Sequence, residues 1–303
     1  MDLPDDMPAH GEMVTLEPGI RRIIARNPSP MTYWGTNTFV LGEGAVTVVD
    51  PGPDLPDHMT ALLAGLAPGE TVAQIFVTHS HLDHSPLARR LSAKTGAPVF
   101  AFGDATAGRS QVMSDLVAQG MPAGGEGVDR AFEPDVVLAD GDEVDIGGGR
   151  KVEAIWTPGH YSNHLSFAIG DAVLVGDHVM AWASSLVSPP DGDLTAFMGS
   201  CEKLLARDDR IHYPAHGPAI EDPKARLAWL MDHRKGRERA ILEALAEGPA
   251  TVPTLTRTIY TDTPDTLIPA AERNVFAHLI DLATRGAVTA SPKLAPDARF
   301  ARA

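Results

Sequence analysis

Residues 78–85 read Thr-His-Ser-His-Leu-Asp-His-Ser, which puts His79, His81, Asp83 and His84 within six residues of chain. Imidazole nitrogen and carboxylate oxygen are donors for divalent cations, with Zn2+ as the default and Mn2+ or Fe also compatible. In an extended segment, residues two apart project to the same side, so His79 and His81 can reach one cation. Ser85-Pro86 then reads as a helix start, with Ser85 at the N-cap and Pro86 at the first helical position. A strand that gives way to a helix this quickly lets the two ligand pairs point in different directions, toward two adjacent metals.

The neighbouring elements must hold this segment in place. Apolar alternation and turn residues give strands at 36–41 and 45–49, the second stopped by Asp50-Pro51-Gly52. Helical spacing of Met59, Leu62, Leu63 and Leu66 marks a helix at 57–66. A continuous apolar strand at 71–77 leads into the His-rich segment, followed by a helix at 86–95 and a strand at 97–101. This order of strand, helix, strand, helix, strand implies a sheet covered by helices.

Residues 103–133 are irregular, with one helix at 111–119 and the run Gly124-Gly125-Glu126-Gly127, which reads either as a lid or substrate loop or as inert surface. Strands follow at 136–138, 152–156, 165–169 and 172–175, the last two joined by a Gly170-Asp171 hairpin turn. A helix at 194–206 and a strand at 210–213 complete this part. Each of three later strands ends in a polar cluster: Thr157-Pro158-Gly159-His160, Gly176-Asp177-His178 and Pro214-Ala215-His216-Gly217-Pro218.

Beyond residue 218 the character changes. Helices are expected at 223–247, 252–259 and 270–284, then a short wing strand at 286–290. The division is therefore residues 1–222 as the ligand-bearing domain and 223–303 as a small, mainly helical, winged-helix-like domain.

Composition narrows the chemistry. The chain has 303 residues, 44% hydrophobic and 21% charged, which is ordinary globular material. A single cysteine, Cys201, excludes an internal disulfide and thiolate-rich zinc sites, and its place in a helix suggests a buried thiol. The acidic, Pro-rich N-terminus has no secretory character and no apolar run spans a membrane, so the expected location is cytoplasmic. The formal net charge is -15, yet 12 of the 25 Lys and Arg and only 9 of the 40 Asp and Glu lie from Lys224 onward. The acidity belongs to the first domain, which would repel a polyanion.

His-x-His-x-Asp-His followed in order by His160, Asp177 and His216 resembles the metal-binding signature of the metallo-β-lactamase superfamily. Gly35-Thr36-Asn37-Thr38, Val49-Asp50-Pro51-Gly52, His84-Ser85-Pro86 and the C-terminal winged-helix-like extension are similar to the lactamase-beta-2-like hydrolases. The resemblance implies an α/β fold, the αββα sandwich, over roughly residues 15–222. It implies one metal on His79, His81 and His160, a second on Asp83, His84 and His216, and Asp177 bridging them, with Asp83 and Asp177 as the catalytic carboxylates. Two divalent ions, zinc by default, would activate water for hydrolysis.

Supporting roles follow the same logic. Asp50 is a candidate acceptor for the second N–H of a ligand imidazole, or simply a turn residue. His164 reads as a hydrogen-bonded support, while His178 lies nearer the expected substrate side with its role open. His212 and His233 read as structural or exposed. Tyr161 stands where many superfamily members have a small hydroxyl residue. The basic stretch Arg234, Lys235, Arg237 and Arg239 offers either a phosphate-contacting surface or a helix face that also packs on the first domain.

Three functions compete. The leading one is a dinuclear hydrolase of an ester, thioester or phosphodiester, in which the resemblance offers a glyoxalase II-like thioester hydrolase and a single-stranded RNA endoribonuclease. The second is a mononuclear-iron persulfide dioxygenase-like oxidoreductase. The third is a nucleic-acid-binding protein acting through the tail. Expected partners are thus a small ester or thioester or single-stranded RNA, with no membrane and with a homodimer left open.

Overall fold

The structure is a computed structural model that describes residues 7–122 and 127–303. Of the irregular run 124–127, residues 124–126 lie outside the described residues. A seven-stranded sheet is formed in the order β1 (Val14–Glu17), β2 (Ile20–Ile24), β3 (Asn37–Leu41), β4 (Ala45–Val49), β5 (Thr71–Phe76), β6 (Val99–Ala101) and β7 (Val136–Val137). A five-stranded sheet is built from β8 (Glu143–Asp145), β9 (Lys151–Trp156), β10 (Leu165–Ile169), β11 (Ala172–Gly176) and β12 (Ile211–Pro214) in the spatial order β12-β11-β10-β9-β8.

The period-two rule explains why these sheets stack. Phe39, Leu41, Phe76, Phe167 and Leu174 point inward and form one cluster between the sheets. The intervening residues turn outward. Val40, Val46 and Val48 meet Leu62 of α1 (Pro56–Ala64) and Leu91 of α2 (Pro86–Thr95). On the other side, Ala168, Val173 and Val175 meet Phe197, Cys201 and Leu204, which lie beyond α3 (Gln111–Ala118) on α4 (Leu194–Leu205). Leu227, Leu230 and Met231, on the first half of α5 (Pro223–Ala246), join that outer layer. The layers are helix, sheet, sheet, helix.

The C-terminal part adds β13 (Ala250–Thr251), α6 (Val252–Ile259), α7 (Ile268–Thr284) and the hairpin β14 (Val288–Ser291) and β15 (Arg299–Arg302), with sheet order β13-β15-β14. Its core of Ile241, Leu255, Val275, Leu279 and Phe300 also takes in Met113 and Leu116 of α3. A helix from the first part of the sequence therefore packs into this module. Among the described residues no helix is long and apolar enough to cross a membrane.

Two local expectations are corrected. Ser85 occupies the N-cap place of α2, but its hydroxyl makes no capping bond. Instead Ser85 Oγ lies 3.1 Å from His81 O and 3.0 Å from Asp129 Oδ2, tying the turn to the loop beyond it. The chain also carries strands that apolar alternation did not mark, namely β1, β2, β8, β13 and β15. Charged residues interrupt most of them, as in Arg21-Arg22 of β2 and Arg299 and Arg302 of β15.

Candidate metal centre

The strand ends bring the polar clusters to one edge of the sandwich. Asn37 joins the two sheets there: its backbone N–H donates to Ala215 O at 2.7 Å, and its amide donates to Pro214 O and Gly217 O. Past β5, the backbone N–H groups of His84 and Ser85 both donate to His81 O at 3.0 Å, so the segment is a tight turn rather than a continuing strand. His79 and His81 thus converge through a turn, with Leu82 between His81 and Asp83 turned out to solvent.

Two donor sets result. One donor atom from each of His79, His81, His160 and Asp177 lies within 4.8 Å of the others, and the same holds for Asp83, His84 and His216. Asp177 touches both sets. Its Oδ2 is 3.6 Å from His160 Nε2 and 3.5 Å from His84 Nε2, and its Oδ1 is 3.4 Å from His216 Nε2. Asp83 Oδ2 approaches His216 Nε2 at 3.2 Å. All seven residues named from the sequence are brought together.

Hydrogen bonds on the far side of the rings decide which nitrogens face inward. His84 Nδ1 lies 3.0 Å from Asp50 Oδ2, His160 Nδ1 2.7 Å from Leu186 O, and His216 Nδ1 3.0 Å from Gly35 O. These acceptors take the Nδ1–H, so Nε2 is the atom each ring presents to the centre. His79 is held through a relay: its Nδ1 donates to Thr78 Oγ1 at 3.0 Å, and that hydroxyl donates to Asp50 Oδ2 at 2.7 Å. One carboxylate therefore orients two imidazoles, His84 directly and His79 through Thr78.

This arrangement passes a test of fit for a cation. His81 Nδ1 stands 2.9 Å from His79 Nε2 and 3.1 Å from His160 Nε2, although both partners have spent their N–H elsewhere. At most one proton can sit among three converging nitrogens. The Nε2 atoms of His84 and His216 and Oδ1 of Asp177 are buried with no hydrogen-bond partner. Buried polar atoms in native structures are normally satisfied, so a cluster of unsatisfied ring nitrogens and carboxylate oxygens converging on one point marks a place for a cation.

The electrostatics of the two sets differ. Burial, then the neighbouring imidazoles, drives His79 well below its ordinary value and His81 down to about 3, and His160 is lowered chiefly by burial. For His216, burial pulls downward, but the Asp177 and Asp83 carboxylates outweigh it and raise the group to about 10. His84 is raised in the same way, with burial overcome by Asp83, Asp177 and Asp50.

A chain of this topology, with these ligands at one sandwich edge, matches the family described as the metallo-beta-lactamase superfamily over residues 31–216. The chain belongs to that superfamily. A beta-lactamase associated winged helix domain matches residues 251–293. The chain is 30% identical over 290 residues to the beta-lactamase-like protein 2 homolog of Drosophila melanogaster, covering 91% of each chain. It is 28% identical to the atrochrysone carboxyl ACP thioesterase of Aspergillus fumigatus, covering 77% of this chain and 67% of that protein. Among solved structures, a metallo-beta-lactamase family protein from Thermus thermophilus superposes with TM-score 0.75 at 25% identity, covering 95% of this chain and all of that one.

The remaining sequence candidates find other places in this metallo-beta-lactamase sandwich. His164 supports the centre: its Nε2 accepts the backbone N–H of Asp177 at 3.1 Å, and its Nδ1 meets Thr157 Oγ1 at 2.9 Å. His178, expected nearer the substrate, instead points away from the cleft. Its ring packs on Phe197, with Nε2 3.5 Å from Cys201 Sγ, because β11 turns successive side chains to opposite faces as it ends. Burial raises Cys201 to about 12, the behaviour of an inert structural thiol. His212 is buried with Nε2 3.2 Å from Asp209, and His233 stacks on Trp229. Tyr161 packs its ring edge against His81 and donates to Ala105 O at 2.9 Å.

The basic stretch divides. Arg234 is buried and turned toward the sandwich, which removes it from any phosphate-contacting surface, while Lys235 and Arg239 are exposed. Sequence reasoning did not find the Thr78 relay, although a hydroxyl residue next to a ligand His was the available signal. It also did not find the walls above the centre, where Met31, Trp182, Tyr260 and Leu267 sit as isolated apolar residues in loops and helix ends.

Proposed function

We propose that this chain is a dinuclear metal-dependent hydrolase of esters or thioesters that carry an apolar acyl group. The carrying observation is the cleft above the centre. It has a volume of about 330 Å³, and His81, Asp83, His160 and Asp177 form its floor. Met31, Met180, Trp182, Leu186, Tyr260 and Leu267 form its walls, and among the described residues no Lys or Arg lines it. A phosphodiester backbone is held chiefly by cationic side chains, and these walls offer none. An acyl chain needs only apolar surface and a polar floor.

Under this reading His79, His81 and His160 would hold one ion and Asp83, His84 and His216 the other, with Asp177 within reach of both donor sets. Two divalent ions, when bound, supply a hydroxide nucleophile at neutral pH and polarise the attacked carbonyl. The chain's own residues do the rest. Asp83, whose side chain is 28% exposed against 8% for Asp177, is the more open of the two carboxylates in the cleft floor. Its pKa is lowered because, although burial opposes this, His84 and His216 outweigh it, so it stays ionised and can accept a hydrogen bond from the attacking water. The second donor set, with its orphaned His84 and His216 nitrogens, supports two ions over the single iron of a persulfide oxygenase. Similarity to a protein named as an acyl carrier thioesterase points to the same bond type.

The test is a substrate panel on zinc-replete protein: S-acyl thioesters of increasing chain length, aryl esters, lactones, a β-lactam and single-stranded RNA. Hydrolysis should release the acid and the free thiol, with kcat/KM rising roughly fourfold per methylene while the chain still fits the walls. Cleavage of RNA without thioester turnover would overturn the reading.

A further inference from the structure

Residues 180–187 form the cleft wall between the sandwich and the C-terminal module, and they are gripped from α5. Arg226 donates to Met180 O at 2.6 Å and to Ala183 O at 2.7 Å. Two helical turns later on the same face, Arg234 donates to Ser185 O and, at 3.0 Å, to Asn274 Oδ1 of α7. Asn274 Oδ1 also accepts the backbone N–H of Val187 at 3.3 Å. Between these two anchored residues lies Leu186, whose carbonyl accepts His160 Nδ1–H at 2.7 Å.

The geometry points to Arg234 and Asn274 as positioning residues of the metal centre, which set His160 through the tripeptide Ser185-Leu186-Val187. This rests on reading His160 as a metal ligand. The burial of Arg234 calls for such a role. Its guanidinium lies over the Phe197 ring at 5.1 Å and bonds only to neutral acceptors, with no carboxylate paired to it among the described residues. A buried charge compensated this way is costly, and an apolar side chain of similar length would pack against Phe197 without that cost. What only the forked guanidinium provides is two donors that fix Ser185 and Asn274 relative to one another. The floor beneath is equally constrained. Gly159, at φ +145°, brings its backbone against Phe197, and a Cβ there would stand 2.3 Å from Phe197 Cα. His160 therefore takes its position from Phe197 below and from the Leu186 carbonyl at its side, and the C-terminal module determines where that carbonyl lies.

The experiment is a zinc titration of the metal-free full chain against a chromophoric chelator, for wild type, Arg234→Met, Arg234→Lys, Arg226→Met and His160→Ala. Arg234→Met should weaken one of the two zinc ions by about 10–100-fold and leave the other at wild-type affinity. Arg234→Lys, with a charge but no fork, should fall between. Arg226→Met, which loosens the same wall away from Leu186, should keep both affinities. His160→Ala should lose the same zinc that Arg234→Met weakens. If Arg234→Met does not fold, Asn274→Ala carries the test, since it removes the acceptor shared by Arg234 and Val187. Two wild-type affinities in the Arg234 or Asn274 variant, or equal weakening of both ions, would overturn the proposal. Wild-type binding by His160→Ala would instead overturn the assignment of His160 as a ligand.

Discussion

His79, His81 and His160 face one another across nitrogen contacts of 2.9 and 3.1 Å, whereas His84 and His216 each face the carboxylates of Asp83 and Asp177. Both halves of the centre are buried and both use imidazole. The difference is the neighbour. Where imidazoles crowd imidazoles, burial and mutual repulsion keep the rings neutral, with His81 down to about 3. Where carboxylates crowd them, the protonated form of the rings is favoured, with His216 up to about 10 and His84 raised as well. The first half presents lone pairs ready for a cation, and the second must exchange protons for one.

Asp177 is the one side chain common to both halves, so its replacement gives the largest effect. Asp177→Ala should weaken both ions and lower hydrolysis by well over about 100-fold, more than the loss of any outer partner of a ligand. Its backbone N–H to His164 Nε2 survives the change, so the fold should remain. Full activity in the folded variant would show that the halves act independently.

Asp50 and Thr78 separate the halves one step out. Asp50→Asn turns an acceptor into a donor opposite His84 Nδ1–H and removes the charge that anchors the Thr78 hydroxyl, so both ions should weaken by about 10–100-fold. Thr78→Val breaks only the relay to His79 and leaves the 3.0 Å contact from Asp50 to His84. It should weaken one ion alone. Chelator competition on the two variants checks this, and identical profiles would mean that Asp50 serves a single half.

The candidate ligands were far more legible in the sequence than their supports. His79, His81, Asp83, His84, His160, Asp177 and His216 stand at or just past strand ends, and the fold brings them together into two donor sets that could hold metal ions. Asp50 was readable as a possible partner of one imidazole because it ends β4 beside the turn. Its second partner was not, since the Thr78 relay depends on side-chain directions in a turn that alternation does not describe. The strands that carry Phe39, Val40, Leu41, Phe167 and Ala168 were legible as strands under a helical cover, while the sandwich of two sheets came from the family resemblance. In the fold these residues alternate between the inner and outer layers. The strand Arg299–Arg302 was not legible, because Arg-Phe-Ala-Arg carries little strand signal and pairs only through its neighbours β13 and β14. Arg234 shows the same limit. Within four closely spaced basic residues nothing local says which one is buried, and its partners Ser185 and Asn274 lie far along the chain.

The smallest effect is the most direct probe of the contrast between the halves. In the metal-free chain, the raised His216 stabilises the fold fully below its ordinary value near 6.5, and that contribution is lost as pH rises through about 10. The depressed His81 works in the opposite sense: its contribution is present above 6.5 and is lost as pH falls through about 3. Nitrogen-15 NMR of the chelator-treated protein at about pH 7, close to the ordinary imidazole value, should therefore show imidazolium signals for His84 and His216 and neutral rings for His79, His81 and His160. Added zinc should convert the first two to the neutral form while leaving the protonation of the other three unchanged. Five neutral rings before zinc would mean that the carboxylates of Asp83 and Asp177 do not outweigh burial, and that both halves are equally prepared for metal.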